Sequence, residues 1–229
     1  MNKRLAAIIV AGGTGSRMGT DVPKQFIKIN GKEIILHTIS TFEKCDFIDK
    51  IIVVCHSDYL DFCKDLFSEV KKDIIVTEGG NTRQQSVFMG LKEAQDCEYV
   101  LVHDAVRCLI EETHIKMLFS ELSNGNSCTL AVRVKDTIKI ADENNIVTNT
   151  PDRSKLWQIQ TPQAFLTKDI ISAHEYAIKT GFEGTDDCSV MEHYGKKITL
   201  VEGSYKNIKI TTPSDIEIAK VFMKGSDDK

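Results

Sequence analysis

The chain has 229 residues, 41% hydrophobic and 27% charged, with a formal net charge of -4. That length holds one large α/β domain, or one domain with a small insertion, and the composition is that of an ordinary globular protein. Mild acidity argues against general binding to nucleic acid or an anionic membrane, and no apolar run approaches the roughly 20 residues of a bilayer span. Seven scattered cysteines without a C-x-x-C pair point to reduced thiols in a cytoplasmic setting.

The apolar run Leu5 to Val10 predicts a buried strand of a parallel sheet, and it opens directly into AGGTGSRMG. The start MNKRLAAIIV has the charged-then-apolar order of a leader, but its apolar part is short and ends in glycines, so it reads as the first strand. Gly12, Gly13 and Gly15 let the backbone turn sharply, and successive N–H groups in such a loop cradle phosphate oxygens. Arg17 and Lys24 add two cations, and Pro23 stiffens the second limb. The dinucleotide pattern G-x-G-x-x-G meets Met18 where its last glycine is needed, and no Lys-Ser or Lys-Thr completes a P-loop. The pattern G-G-x-G-x-R-M-G followed by P-K-Q resembles the signature loop of sugar-phosphate nucleotidyltransferases. A glycine-rich turn without a ligand is the plain alternative.

Strand and helix signals then alternate, as in a sheet covered on both faces. Glu33 to Phe42 reads as a helix, Ile51 to Cys55 as a strand, and Ser57 as the N-cap of a helix through Val70. Ile74 to Thr77 is a short strand, Thr82 to Ala94 a helix, Tyr99 to His103 a strand, Thr113 to Leu122 a helix and Cys128 to Val134 a strand. Residues 135–160 break the period: DTIKIA and NIVTNTP flank the polar turn Asp142 to Asn145, which predicts an inserted β-hairpin arm within one domain spanning 1–229. Such a projecting arm is a natural dimer contact. A helix over Lys168 to Lys179, strands at Lys197 to Val201 and Asn207 to Ile210, and a helix from Pro213 follow, with the tail GSDDK frayed.

Several stretches are candidates for chemistry. In GGNTRQQSV, Gly80 and Asn81 suit contact with a base, Ser86 with a base or sugar, and Arg83 with a phosphate or as a structural cap. This glycine pair follows a strand's carboxyl end, where open α/β sheets bind ligands. Asp104 ends a buried strand in VHDAVR and is a good hard-metal ligand beside a phosphate loop, with a salt bridge to Arg107 as the alternative. His103 reads as a packed neighbour and Trp157 as packing beside a TPQ turn. Asp186 and Asp187 are adjacent, which favours N-capping by Asp186 over a two-carboxylate site. Lys209 sits in an apolar segment, facing either a ligand or solvent. No G-x-S-x-G elbow is present and no Cys–His pair stands out, which gives little support to a protease or esterase.

The motifs AGGTGSRMG, PKQF, GGNTRQQSV, HDAVR, DTIK, DRSKLW, QTPQAF, TDDCSVMEHYG and NIKITTP occur in order from Ala11 to Pro213. Together they resemble the 2-C-methyl-D-erythritol 4-phosphate cytidylyltransferases of the non-mevalonate isoprenoid pathway, over nearly the whole chain. Ribitol-5-phosphate cytidylyltransferases are the nearest alternative, similar through the first loop and QTPQ. The resemblance implies an α/β fold with a Rossmann-like, mostly parallel twisted sheet covered by helices on both faces and a β-arm that builds a homodimer. It implies CTP bound by Ala11, Gly12, Gly13, Thr14, Gly15, Ser16, Gly80, Asn81, Arg83 and Ser86. By the same similarity, Arg17 and Lys24 stabilise the transition state, and Arg153 and Lys209 position the phosphate of a sugar-alcohol phosphate. Asp104, Ala105, Arg107, Thr137 and Thr185 hold that acceptor, Asp104 binds Mg²⁺ or another divalent cation, and arm residues are supplied across the dimer. Cys108 stands where the family has Pro, and Val106 replaces an Ala, so a looser turn after Arg107 and an oxidisable thiol near the site are expected.

Overall fold

The computed structural model describes residues 4–13 and 22–224. Strand β1 spans Leu5–Ala11, followed by a small hairpin of β2 (Lys28–Ile29) and β3 (Lys32–Glu33). Helix α1 (Ile34–Glu43), β4 (Lys50–Cys55), α2 (Leu60–Leu66), β5 (Asp73–Glu78), α3 (Arg83–Glu93) and β6 (Tyr99–Asp104) come next. Helix α4 (Glu112–Ser123) and β7 (Cys128–Arg133) lead to a second hairpin, β8 (Ile140–Ala141) and β9 (Val147–Asn149). Strand β10 (Trp157–Leu166), α5 (Thr167–Thr180), α6 (Asp187–His193), β11 (Thr199–Glu202) and α7 (Pro213–Lys224) complete the described chain.

Among the described residues the main sheet has the order β11-β7-β10-β6-β1-β4-β5. Its neighbours pair in parallel except around β10, which runs antiparallel to both β6 and β7. Successive side chains of a strand point to opposite faces, so each inner strand feeds two cores. Leu5, Ala7, Ile9, Ile51 and Val53 pack with Ile39, Phe42 and Leu118 from α1 and α4. Ala6, Ile8, Ile52 and Val54 pack with Val87, Leu91 and Ala173 from α3 and α5. A Cβ on Gly90 would lie 2.7 Å from Ile8 Cγ2 and 2.8 Å from Val54 Cγ2, so glycine there lets α3 sit close on the sheet. The mostly parallel α/β sheet with helices on both faces is as the sequence predicts.

Three predicted elements differ. Ser57 opens a 3-10 turn, Ser57–Tyr59, capped by His56, whose Nδ1 accepts from Asp58 N at 3.3 Å; α2 starts at Leu60 and stops at Leu66. Asn207 to Ile210 forms no strand, because its backbone groups serve the turn after β6 instead. Arg107 Nη1 donates to Asn207 O at 2.8 Å, and Ile210 N donates to Val106 O at 3.0 Å. Leu156 to Phe165 supplies most of the inner strand β10, so the TPQ segment is strand and not a turn. The predicted arm limit of 160 overlaps it, since Trp157 to Ile159 pair with Ala131 to Arg133 of β7. Gln160, Thr161 and Gln163 are buried polar residues that strand periodicity would not favour. They are tolerated because each finds a partner: Gln160 Nε2 donates to Ser204 O at 2.8 Å, Thr161 Oγ1 meets His103 Nδ1 at 3.0 Å, and Gln163 Nε2 donates to Asp186 Oδ2 at 2.7 Å.

The β8–β9 hairpin is exposed along its length, and its turn forms where expected, with Asn145 N donating to Asp142 O at 3.1 Å. Thr14, Gly15, Ser16 and Arg17 of the predicted phosphate loop, and the tail GSDDK, lie outside the described residues.

Candidate active site

The sheet order reverses at β1, with β4 and β5 on one side and β6 on the other. The carboxyl ends of β1, β5 and β6 therefore open into one crevice, the usual ligand position in open α/β sheets. The crevice is a cleft of about 330 Å³, lined by Ala11, Gly12, Gly13, Lys24, Gly80, Asn81, Arg83, Ser86, Asp104, Ala105 and Lys209 together with Val10, Gln25, Thr82 and Val106.

Each limb is held locally. Gln25 Nε2 donates to Ala11 O at 2.6 Å, tying the PKQ segment to the end of β1. Phe26 N donates to Pro23 O at 2.9 Å and closes the 3-10 turn Lys24–Phe26 that presents Lys24. On the β5 side, Thr82 and Gln85 form a capping box at the start of α3, with Thr82 Oγ1 accepting from Gln85 N at 3.1 Å. Gln85 Oε1 also accepts from Asn81 N at 2.9 Å. Ser86 Oγ donates to Thr82 O at 2.9 Å and accepts from Gly80 N at 3.1 Å, so Ser86 shapes the turn as well as lining the cleft.

Asp104 is the cleft's electrostatic centre. Lys209 Nζ lies 2.9 Å from its Oδ2, Arg107 Nε 3.6 Å from Oδ2, and Arg83 Nε 3.6 Å from Oδ1. Burial alone would raise the Asp104 carboxyl, but Lys209, then Arg83 and Arg107, outweigh it and hold it well below the usual carboxylate range. Burial works against the Arg83 charge too, yet Asp187 and Asp104 raise that guanidinium above its ordinary value.

Behind the lining sits a layer of buried polar groups. Thr161 Oγ1 accepts from Asp104 N at 3.0 Å and contacts His103, whose other ring nitrogen meets Arg107 O at 3.2 Å. Burial pushes His103 down to about 3, so it stays neutral and acts as a packed neighbour, as expected. Asp186 caps α6 as expected, its Oδ1 accepting from Ser189 N at 2.8 Å. Asp187 turns inward and its Oδ2 lies 2.9 Å from Arg83 Nη2. Reasoning from sequence gives Asp187, His174, Thr161 and Gln163 no part in the site. One signal is present: Asp187 follows an N-cap and precedes the apolar Cys188, Val190 and Met191, so it starts the inward face of a helix.

Other predicted site residues lie apart from this cleft. Thr137 and Arg153 are exposed on the arm segment, with Arg153 Nη1 donating to Lys135 O at 2.8 Å. Thr185 is exposed before α6 and does not line the cleft. Trp157 packs under the Arg133 guanidinium, 4.0 Å from the ring centroid. The turn after β6 is closed by Arg107 N donating to Asp104 O at 3.0 Å, despite Cys108 beyond it. The Cys108 thiol is buried and pushed up to about 12 by that burial. Burial thus favours its protonated form over the reactive thiolate.

The family model described as 2-C-methyl-D-erythritol 4-phosphate cytidylyltransferase matches residues 5–225. Similar relatives bearing that name include those of Lachnospira eligens, 42% identical and covering 96% of this chain and 99% of the relative, and Caldanaerobacter subterraneus, 40% identical with the same coverage. Among solved structures, the 4-diphosphocytidyl-2C-methyl-D-erythritol synthase of Anaerococcus prevotii is 35% identical with a TM-score of 0.88, covering 97% of both chains. The 2-C-methyl-D-erythritol 4-phosphate cytidylyltransferase of Francisella tularensis is 32% identical with a TM-score of 0.82, covering 95% of this chain and 99% of that one. With the cleft at the β1 switch point and a match spanning nearly every residue, the chain belongs to the 2-C-methyl-D-erythritol 4-phosphate cytidylyltransferase family.

Proposed function

We infer that this cleft transfers the cytidylyl group of CTP to 2-C-methyl-D-erythritol 4-phosphate, giving 4-(cytidine 5'-diphospho)-2-C-methyl-D-erythritol and pyrophosphate. Family membership supports the substrates, and the observation that carries the chemistry is the gathering of Arg83, Arg107 and Lys209 around Asp104 at the strand ends, in a cleft that Lys24 also lines. A phosphate oxygen of the acceptor attacks the α-phosphorus of CTP; the bond to the bridging oxygen of the β-phosphate breaks, and pyrophosphate leaves with that electron pair. The nucleophile is already an anion, so no strong base is needed, and positioning and charge stabilisation dominate. Lys24, which lines the cleft, supplies a compact positive charge, and Lys209, also in the lining, meets the acceptor phosphate.

A divalent cation such as Mg²⁺ fits the donor set. Among the described residues Asp104 is the only carboxylate lining the cleft, and Mg²⁺ bound to a triphosphate needs just one or two protein carboxylates. Asp104 would hold the ion, which supplies charge neutralisation on the phosphate oxygens.

The arm serves a second copy of the chain. Thr137 and Arg153 sit away from their own cleft, and the hairpin exposes Ile138, Ile140, Ile146 and Val147, which a homodimer would cover. A cytoplasmic setting is supported by the seven free, buried thiols. No helix among the described residues is long and apolar enough to cross a membrane.

The test is purified protein with CTP, Mg²⁺ and either 2-C-methyl-D-erythritol 4-phosphate or ribitol 5-phosphate. Pyrophosphate release and the diphosphocytidyl product are expected with the first acceptor. Release with ribitol 5-phosphate alone would overturn the reading.

A further inference from the structure

Arg83 is the first residue of α3, where its positive charge opposes the helix dipole, yet its side chain stays partly exposed on the cleft wall. Two carboxylates hold it there. Its Nη2 lies 2.9 Å from Asp187 Oδ2 and its Nε 3.6 Å from Asp104 Oδ1. Asp187 is only 1% exposed, and neither of its carboxylate oxygens has a well-aligned hydrogen bond. Behind it, His174 of α5 is fully buried, with its Nε2 3.6 Å from Asp187 Oδ1 and neither ring nitrogen hydrogen-bonded. Phe88 stacks on that ring, at 5.8 Å between centroids. Gln163 Oε1 accepts from Asp187 N at 3.0 Å and so ties the start of α6 to β10.

Stability alone explains this arrangement poorly. A buried ion pair is often no better for the fold than apolar groups of the same size. What the charged set does is fix a guanidinium, whose planar fork suits several phosphate oxygens at once, at the cleft edge. We propose that Asp187 and His174 are a buried positioning pair that holds Arg83 in place for the triphosphate of the incoming nucleotide. Asp187 carries the effect through Arg83 and touches no substrate, while His174 keeps the Asp187 carboxylate turned toward α3. The inference rests on the nucleotide-transfer reading above.

The test is a double-mutant cycle read in the KM for CTP at saturating acceptor. Asp187→Asn keeps the shape and removes the charge; it is expected to raise the KM for CTP by about tenfold with a smaller change in kcat. In an Arg83→Ala background the same substitution is expected to add nothing, because the residue it acts through is gone. A KM penalty equal in both backgrounds, or absent in both, overturns the proposal and leaves Asp187 a purely structural group. Should Asp187→Asn lose its cooperative melt, His174→Gln in the same two backgrounds decides the matter by the same comparison of KM values. Wild-type protein that turns over no CTP with either acceptor would instead sink the nucleotide-transfer reading itself.

Discussion

Lys209 Nζ sits 2.9 Å from Asp104 Oδ2, joining the irregular segment before α7 to the carboxyl end of β6. The two residues lie far apart in sequence and meet only because Asn207 and Ile210 are pinned to the turn after β6. In the free protein this contact keeps a cation at the cleft wall.

Lys209→Ala is therefore expected to raise the KM for 2-C-methyl-D-erythritol 4-phosphate by roughly tenfold, the scale of one hydrogen bond to a charged group. The KM for CTP should move by less than about twofold, since Lys24 and Arg83 remain. Steady-state kinetics with each substrate varied checks this. Equal loss for both substrates would mean that Lys209 supports the cleft as a whole.

Lys24→Ala is expected to lower kcat by about 10²–10³, the usual scale for removing a group aimed at developing charge, with the melting transition retained. Lys24 stands in the chain's own cleft, whereas Arg153 is exposed on the arm segment. If the arm reaches a second copy, each variant is inactive alone, and an equimolar mixture allowed to exchange subunits recovers about a quarter of wild-type activity. A mixture no more active than its parts would refute arm-mediated sharing of the site.

Folding stability should depend on pH through His103. Burial pushes its ring down to about 3 from the ordinary 6.5. Between those values the unfolded chain binds a proton that the folded chain refuses. The contribution of neutral His103 is thus complete above about pH 6.5 and is lost as pH falls, at no more than about 1.4 kcal/mol per pH unit. The depressed carboxyls Asp104 and Asp187 act lower, their contribution being lost only once pH falls below the ordinary 3.8. Urea unfolding between pH 4 and 7, bounds of about the width of this window, should show a slope for wild type that flattens in His103→Gln. The same slope in both proteins would assign it to other groups.

Much of the fold was legible because its strands are buried on both faces. Runs such as Ile51 to Cys55 and Tyr99 to His103 announce themselves by composition, and glycines at Gly12, Gly13, Gly79 and Gly80 mark where the strands end. Strand β10 was not legible. Its Gln160, Thr161, Pro162 and Gln163 look like a turn, and they are acceptable in a central strand only because His103, Asp186 and Ser204 happen to receive them. Asp187 was hidden for a related reason: adjacent carboxylates look alike in a string, and only the path of α6 sends one to solvent-side capping and the other under Arg83.

By itself, then, the order of residues determined which family this chain joins, where its glycine-rich turns fall and which cations and carboxylate are available, since turn chemistry and strand burial are local properties written in short stretches. Only the tertiary structure decided how those charges are shared, with Asp104 between Lys209, Arg83 and Arg107, and Asp187 between Arg83 and His174. Electrostatic partnership falls off over a few ångströms of space, and distance along the chain carries no record of it.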